Sequence, residues 1–102
     1  MPLTASQVAV RMCSAAADND VKAIEAWVTA GASPDWHDYD DRTPLHVAIN
    51  LNNKEVTEFL LKCGARTDVP DVFGNTQRGI AERLGHEDIL AIIDKTGFED
   101  TA

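Results

Sequence analysis

Arg42-Thr43-Pro44-Leu45-His46-Val47-Ala48, followed by Glu55-Val56-Thr57-Glu58-Phe59-Leu60-Leu61-Lys62-Cys63-Gly64-Ala65, is the stretch that decides the fold. Pro44 suits the first position of a helix, where its missing amide hydrogen has no partner to lose. Gly64 suits the end of one, because glycine takes the left-handed cap without steric cost. The same text recurs at a fixed spacing of 33 residues on either side. Gly31-Ala32 returns as Gly64-Ala65, and Gly64 returns as Gly97. Asp38 returns as Asp71, Thr43 as Thr76, and alanine stands at 15, 48 and 81. A strict period of about 20 to 50 residues marks a stacked array, in which no single unit buries its own apolar face.

Thr43-Pro44-Leu45-His46-x-Ala48, with Leu60-Leu61-x-x-Gly64-Ala65 about a helix later, resembles the ankyrin repeat. The third unit keeps Asp71, Gly74, Thr76, Ala81, Gly85-His86, Ile89 and Ile93, but carries Gln77, Arg78 and Gly79 in place of Pro, Leu and His. The first keeps Ala15, Ala16, Asn19-Asp20, Trp27-Val28 and Gly31-Ala32. The resemblance implies an all-α solenoid of three helix-turn-helix units with short β-turn fingers. Residues 1–102 then read as one domain, with units at about 4–37, 38–70 and 71–97 and a short, frayed tail at 98–102. The polar swap at Gln77-Arg78-Gly79 and a shortened turn at Asp94-Lys95 read as a capping unit with a polar outer face. With Asp18-Asn19-Asp20 as the amino-terminal cap, the array is expected to be complete.

The helices follow from punctuation. Thr4 with Gln7 matches a capping box, which predicts a first helix over Ala5–Ala17 with Val8, Met12 and Ala15-Ala16 on its inner face. Val21–Ala30 follows, with Ala23, Ile24, Trp27 and Val28 inward and Gly31 as its stop. The later pairs are Pro44–Leu51 with Lys54–Cys63, closed by Gly64, and Gln77–Leu84 with Glu87–Lys95, closed by Gly97. Ser33–Arg42 and Thr67–Asn75 are rich in turn-forming Asp, Pro, Gly and Asn.

Charge narrows the function. Nine Lys and Arg against seventeen Asp and Glu give a formal charge of −8. No basic face is there to displace counterions, which argues against nucleic acid and against an anionic membrane surface. The same balance favours a basic or amphiphilic protein partner. No apolar run approaches the roughly 18 residues of a membrane span, and the amino terminus lacks a basic leader. Cys13 and Cys63, the two cysteines, have no metal-binding spacing and fall on different helices, so no bridge is expected. The chain reads as cytoplasmic or nuclear.

Catalytic and metal readings fail on spacing. No serine, cysteine or lysine has a partner placed to activate it, and no glycine-rich phosphate loop or Cys-x-x-Cys pair occurs. Asp35-Trp36-His37-Asp38-Tyr39-Asp40-Asp41 alternates acids, but it lacks the central glycine and closing glutamate of a calcium loop. No cofactor is expected. The resemblance implies that His46 hydrogen-bonds within its turn and ties adjacent units, that His86 sits at a helix junction, and that Trp27 is packing.

Family surfaces are the finger tips and the exposed face of each first helix. Carried onto this chain, that implies partner-binding positions Trp36, Tyr39, Asp40, Arg42, Val72, Phe73 and Asn75 on the fingers, and Asn50, Leu51, Arg83 and Leu84 on the helices. Trp36, Tyr39 and Phe73 matter most, since aromatic and arginine side chains dominate interface energetics; folding back onto a neighbouring unit is the competing reading for Trp36 and Phe73. A narrower likeness lies in Asp38-Tyr39-Asp40-x-Arg42-Thr43 and in Asp71 ahead of Gly74-Asn75-Thr76. It is similar to the ankyrin segments of kidney-type glutaminases, plant potassium channels and integrin-linked-kinase-like kinases. Two functions are thus expected. One is a non-catalytic module binding a protein partner through its concave face. The other is a structural or regulatory module that weakly self-associates or adjoins a larger enzyme or channel.

Overall fold

The computed structural model describes the backbone of residues 2–100 and the side chains of residues 2–96. Six helices follow in order: α1 (Ala5–Ala17), α2 (Val21–Thr29), α3 (Pro44–Asn50), α4 (Lys54–Lys62), α5 (Gln77–Leu84) and α6 (Glu87–Asp100). No strand occurs among the described residues. Their starts follow from capping chemistry. The Thr4 hydroxyl accepts from the amide of Gln7 at 3.2 Å, and Gln7 Oε1 accepts from the amide of Thr4 at 2.9 Å. Asp20 Oδ1 accepts from the amide of Ala23, and the Thr76 hydroxyl from that of Gly79.

The turn inside each helix pair repeats to the residue. Asn19, Asn52 and Gly85, 33 apart, adopt left-handed φ values of 54°, 59° and 69°. Asparagine and glycine are the residues that tolerate this region at least cost. The positions one further on donate their amides back to Ala15, Ala48 and Ala81, so each alanine of the repeated series marks where the helix ladder closes.

Packing builds two rows. α1 lies on α3 and α3 on α5 in one row, while α2 lies on α4 and α4 on α6 in the other. The result is an elongated stack, 41 × 29 × 24 Å. Met12, Ile24, Leu45, Ile49, Val56, Leu60 and Ile89 are fully buried and belong to one contiguous core. Trp27 and Phe59 pack half-buried against that core.

Two expectations need correction. Gln77 is not part of a polar outer face: it is fully buried against the preceding helix pair. Its amide group satisfies partners there, as described below. The second is Gly97, which does not stop α6; the helix runs on to Asp100. Glycine permits a left-handed cap but does not impose one, and Phe98-Glu99-Asp100 contains no proline or further glycine to enforce a turn. The shortened turn at Asp94-Lys95 is absent for the same reason, and Thr101-Ala102 of the expected tail lie outside the described residues. Asn19, in the turn of the first pair, bridges to α4: its Oδ1 accepts from the amide of Val56 at 3.2 Å and its Nδ2 donates to Glu55 at 2.9 Å. Boundaries otherwise shift by one residue: Ala30, Leu51 and Cys63 are caps rather than helical residues.

The polar substitution expected at the third pair does occur at Arg78, the residue after Gln77. Leu45 and Leu61 are buried, whereas 33 residues on stand Arg78 and Asp94, joined by an ion pair of 2.6 Å. An apolar stacking position has become a charged one.

Because the core is thin and continuous, truncating a central leucine should propagate through it. Leu60→Ala should cost about 2 to 5 kcal/mol, a large part of the stability of so small an array. Thermal unfolding followed by circular dichroism should show a single transition at much lower temperature. An unchanged melting curve would contradict the packing.

Candidate interaction surface

Each finger is built around one aspartate. Asp38 Oδ1 accepts from the amides of Asp40 and Arg42 at 2.9 and 3.0 Å, and Asp71 Oδ1 accepts from those of Phe73 and Asn75, both at 2.9 Å. The turn closes through a left-handed residue at Asp41 and, 33 on, at Gly74. Successive fingers are tied directly, the amide of Val72 donating to the carbonyl of Asp40 at 3.0 Å. The acids of the first finger are therefore engaged. Asp38 also pairs with Arg42 at 3.1 Å, and Asp35 accepts from the amide of Arg66 at 2.9 Å.

Beneath the fingers lies a buried polar network that fixes them to the helices. The amide of Thr43 donates to His46 Nδ1 at 2.9 Å, so that nitrogen must be unprotonated. Nε2–H then donates to the carbonyl of Asn75, 29 residues away, at 2.9 Å. Gln77 completes the network: its Oε1 accepts from the amide of Val69 at 3.0 Å and its Nε2 donates to the Thr43 hydroxyl at 3.1 Å. His46 thus ties one helix pair to the next finger, as the repeat text implied.

Burial pushes the His46 imidazole below its ordinary value, and the Asn75 carbonyl and the Asp71 and Asp38 charges only partly offset that. For Asp71, burial pushes the carboxyl up, but the amides of Asn75 and Phe73 and the nearby His46 outweigh it and hold the group low.

Above this network opens a groove of about 290 Å³, lined by Arg42, His46, Val47, Asn50, Leu51, Asp71, Phe73, Asn75, Ile80 and Arg83. Six of the eleven positions expected from the sequence come together here: Arg42, Asn50, Leu51, Phe73, Asn75 and Arg83. Phe73 is 79% exposed. Tyr39, 76% exposed, lines a separate depression of about 310 Å³ with Leu3, Gln7, Val10 and Arg11. Asp40, Val72 and Leu84 are exposed but line neither cavity. Trp36 is half-buried and packs on the core, so the fold-back reading holds for it. It precedes the aspartate turn, whereas Phe73 lies inside one.

Sequence reasoning missed Val47, Ile80 and Asp71, and the strip formed by Val10 and Arg11 of α1 with Leu3 just before it. Val47 and Ile80 are 33 apart and could have been found by register alone. The large apolar residues exposed among the described residues are Leu3, Val10, Tyr39, Leu51, Val72, Phe73 and Leu84, and none lies on α2, α4 or α6.

A family profile described as ankyrin repeats, in three copies, matches residues 12–99. The chain belongs to the ankyrin-repeat family. It is an all-α ankyrin solenoid, and ankyrin repeats are generally protein–protein interaction modules. Among curated proteins it is 33% identical over 88 residues, 86% of its length, to serine/threonine-protein kinase 12 of Arabidopsis thaliana, of which it covers 19%. To the potassium channel GORK of the same plant it is 32% identical over 83 residues, 81% of its length and 10% of the channel. A mouse mitochondrial glutaminase, of the liver rather than the kidney type, matches at 29% over 89 residues, 86% of this chain and 15% of that one. The chain therefore spans less than a fifth of the length of these relatives.

Ankyrin repeats are generally non-catalytic. The buried Cys13 thiol, which faces the Arg42 carbonyl, is pushed up to about 12 mainly by burial, which leaves it a poor nucleophile. Both cysteines are free. No group of three His, Cys, Asp or Glu among the described residues is placed to hold a metal ion. Nor is any helix among them long and apolar enough to cross a membrane.

The His46 environment fixes a pH response. Its folded-state value lies below the ordinary 6.5, so the unfolded chain takes up the proton first on acidification. The stability the neutral ring contributes is fully present above about pH 6.5 and is lost progressively as the pH falls below it. Urea midpoints at about pH 7.5 and pH 5.5 should differ, and His46→Gln should remove that part of the difference. An identical pH difference in the variant would contradict the assignment.

Proposed function

We propose that this ankyrin chain is a non-catalytic binding module that takes a protein partner on the face formed by α3, α5 and the finger tips. The observation that supports this reading is the groove in which Phe73, Leu51, Val47 and Ile80 come together with Arg42 and Arg83. A contiguous apolar patch on a soluble chain is a mark of an interaction site, and aromatic and arginine side chains are the usual anchors. The polar network beneath the groove holds its walls, so little ordering is lost on binding. The other row of helices carries instead the ion pairs Lys54–Asp88 and Lys62–Glu58, an arrangement suited to a solvated back.

A second reading is favoured by the relatives, of which the matching stretch forms only a small share. In that reading the same face docks onto a larger enzyme or channel that the module adjoins or regulates, or onto a second copy. Light scattering of the purified chain separates self-association from the other cases.

Tyr39 and Phe73 are exposed, so truncating both should change stability by only about 0.5 kcal/mol. Removing central aromatic anchors should cost about 2 kcal/mol or more of binding. In affinity capture with identification of bound proteins, Tyr39→Ala with Phe73→Ala should melt like the parent and lose its specific partner. Full retention would move the site elsewhere, and unfolding would make the aromatics packing residues.

A further inference from the structure

The formal charge of −8 suggests a basic partner for the molecule as a whole, but the charges are not evenly placed. Among the described residues Arg66, Arg78, Lys54 and Lys62 are each held in an ion pair away from the groove. Arg83, which lines the groove, has no ion-pair partner among the described residues. Arg42 on the opposite rim is bound to Asp38 and more loosely to Asp40, yet its side chain is still 46% exposed. The one carboxylate in the lining, Asp71, is already taken by two backbone amides of its own turn. The same lining mixes polar Asn50 and Asn75 with apolar Val47, Leu51, Phe73 and Ile80.

At physiological ionic strength charges are screened within about 8 Å. The acids on the far row of helices are thus felt weakly in the groove. Of the nearer ones, Asp38 and Asp40 are engaged by Arg42 and Asp71 by its own turn, which leaves Arg83 as the lining charge without an ion-pair partner among the described residues. A basic segment would have to bring its own cation beside Arg83 and Arg42. An acidic one would give Arg83 the bidentate carboxylate its planar fork matches, which Arg42 already has from Asp38. We propose that the groove takes an acidic, apolar-anchored peptide segment of the partner, with a carboxylate on Arg83 and an apolar side chain against Phe73 and Leu51. This rests on the groove being the binding face.

A displayed library of random dodecapeptides, selected on the immobilised chain and then synthesised for titration, tests both levels. The expected outcome is enrichment of peptides that combine aspartate or glutamate with leucine-like or aromatic residues. Arg83→Glu should weaken them about tenfold, equivalent to about 1.4 kcal/mol, and Phe73→Ala should weaken them as well. Circular dichroism melts of both variants should match the parent, since both side chains are exposed. Enrichment of basic or uncharged peptides that Phe73→Ala weakens and Arg83→Glu does not would overturn the acidic specificity while leaving the groove as the site. Failure to enrich any peptide, or enrichment of peptides insensitive to both substitutions, would overturn both.

Discussion

The bond from His46 to the carbonyl of Asn75 is the constraint on which the rest of the structure hangs. It joins a residue at the start of α3 to the base of the next finger, with the His46 ring shielded from solvent. A buried polar group without a partner costs about 1 to 3 kcal/mol, so each member of this network is held in place by the need of the others. Thr43 positions His46, Gln77 positions Thr43, and the same Gln77 anchors Val69 at the entry to the finger. The spacing between fingers, and with it the width of the groove, follows from that chain of hydrogen bonds.

The helices were legible in the sequence because their signals are local. Thr4 with Gln7, Asp20, Pro44, Gly31 and Gly64 each act through groups within a few residues, and the helix pairs come out with their ends within one residue over most of the chain. What is not local was misread. Gln77 is polar and was assigned to an outer face, yet its amide finds partners at residues 43 and 69 and so is carried inward. Gly97 allows a stop without requiring one. Trp36 and Phe73 look alike as finger aromatics, but only Phe73 has its backbone amide held within an aspartate turn, which leaves its ring outward.

The groove itself was half legible. Arg42, Asn50, Leu51, Phe73, Asn75 and Arg83 follow from the repeat register, whereas Tyr39 belongs to a neighbouring depression that α1 completes with Leu3 and Val10. The two cavities share no lining residue, but both are lined from one row of helices, α1 in one case and α3 with α5 in the other.

The central claim is that the finger face is fixed by the buried network rather than mobile. Native-state amide hydrogen exchange measures this residue by residue, because protected amides report the free energy of the opening that frees them. The amides of Thr43, Val69 and Val72, held by His46, Gln77 and Asp40, should exchange only through the same opening that frees the amide of Leu60 in the core. Exchange of these three at the rate of an unstructured loop, with Leu60 still protected, would contradict it.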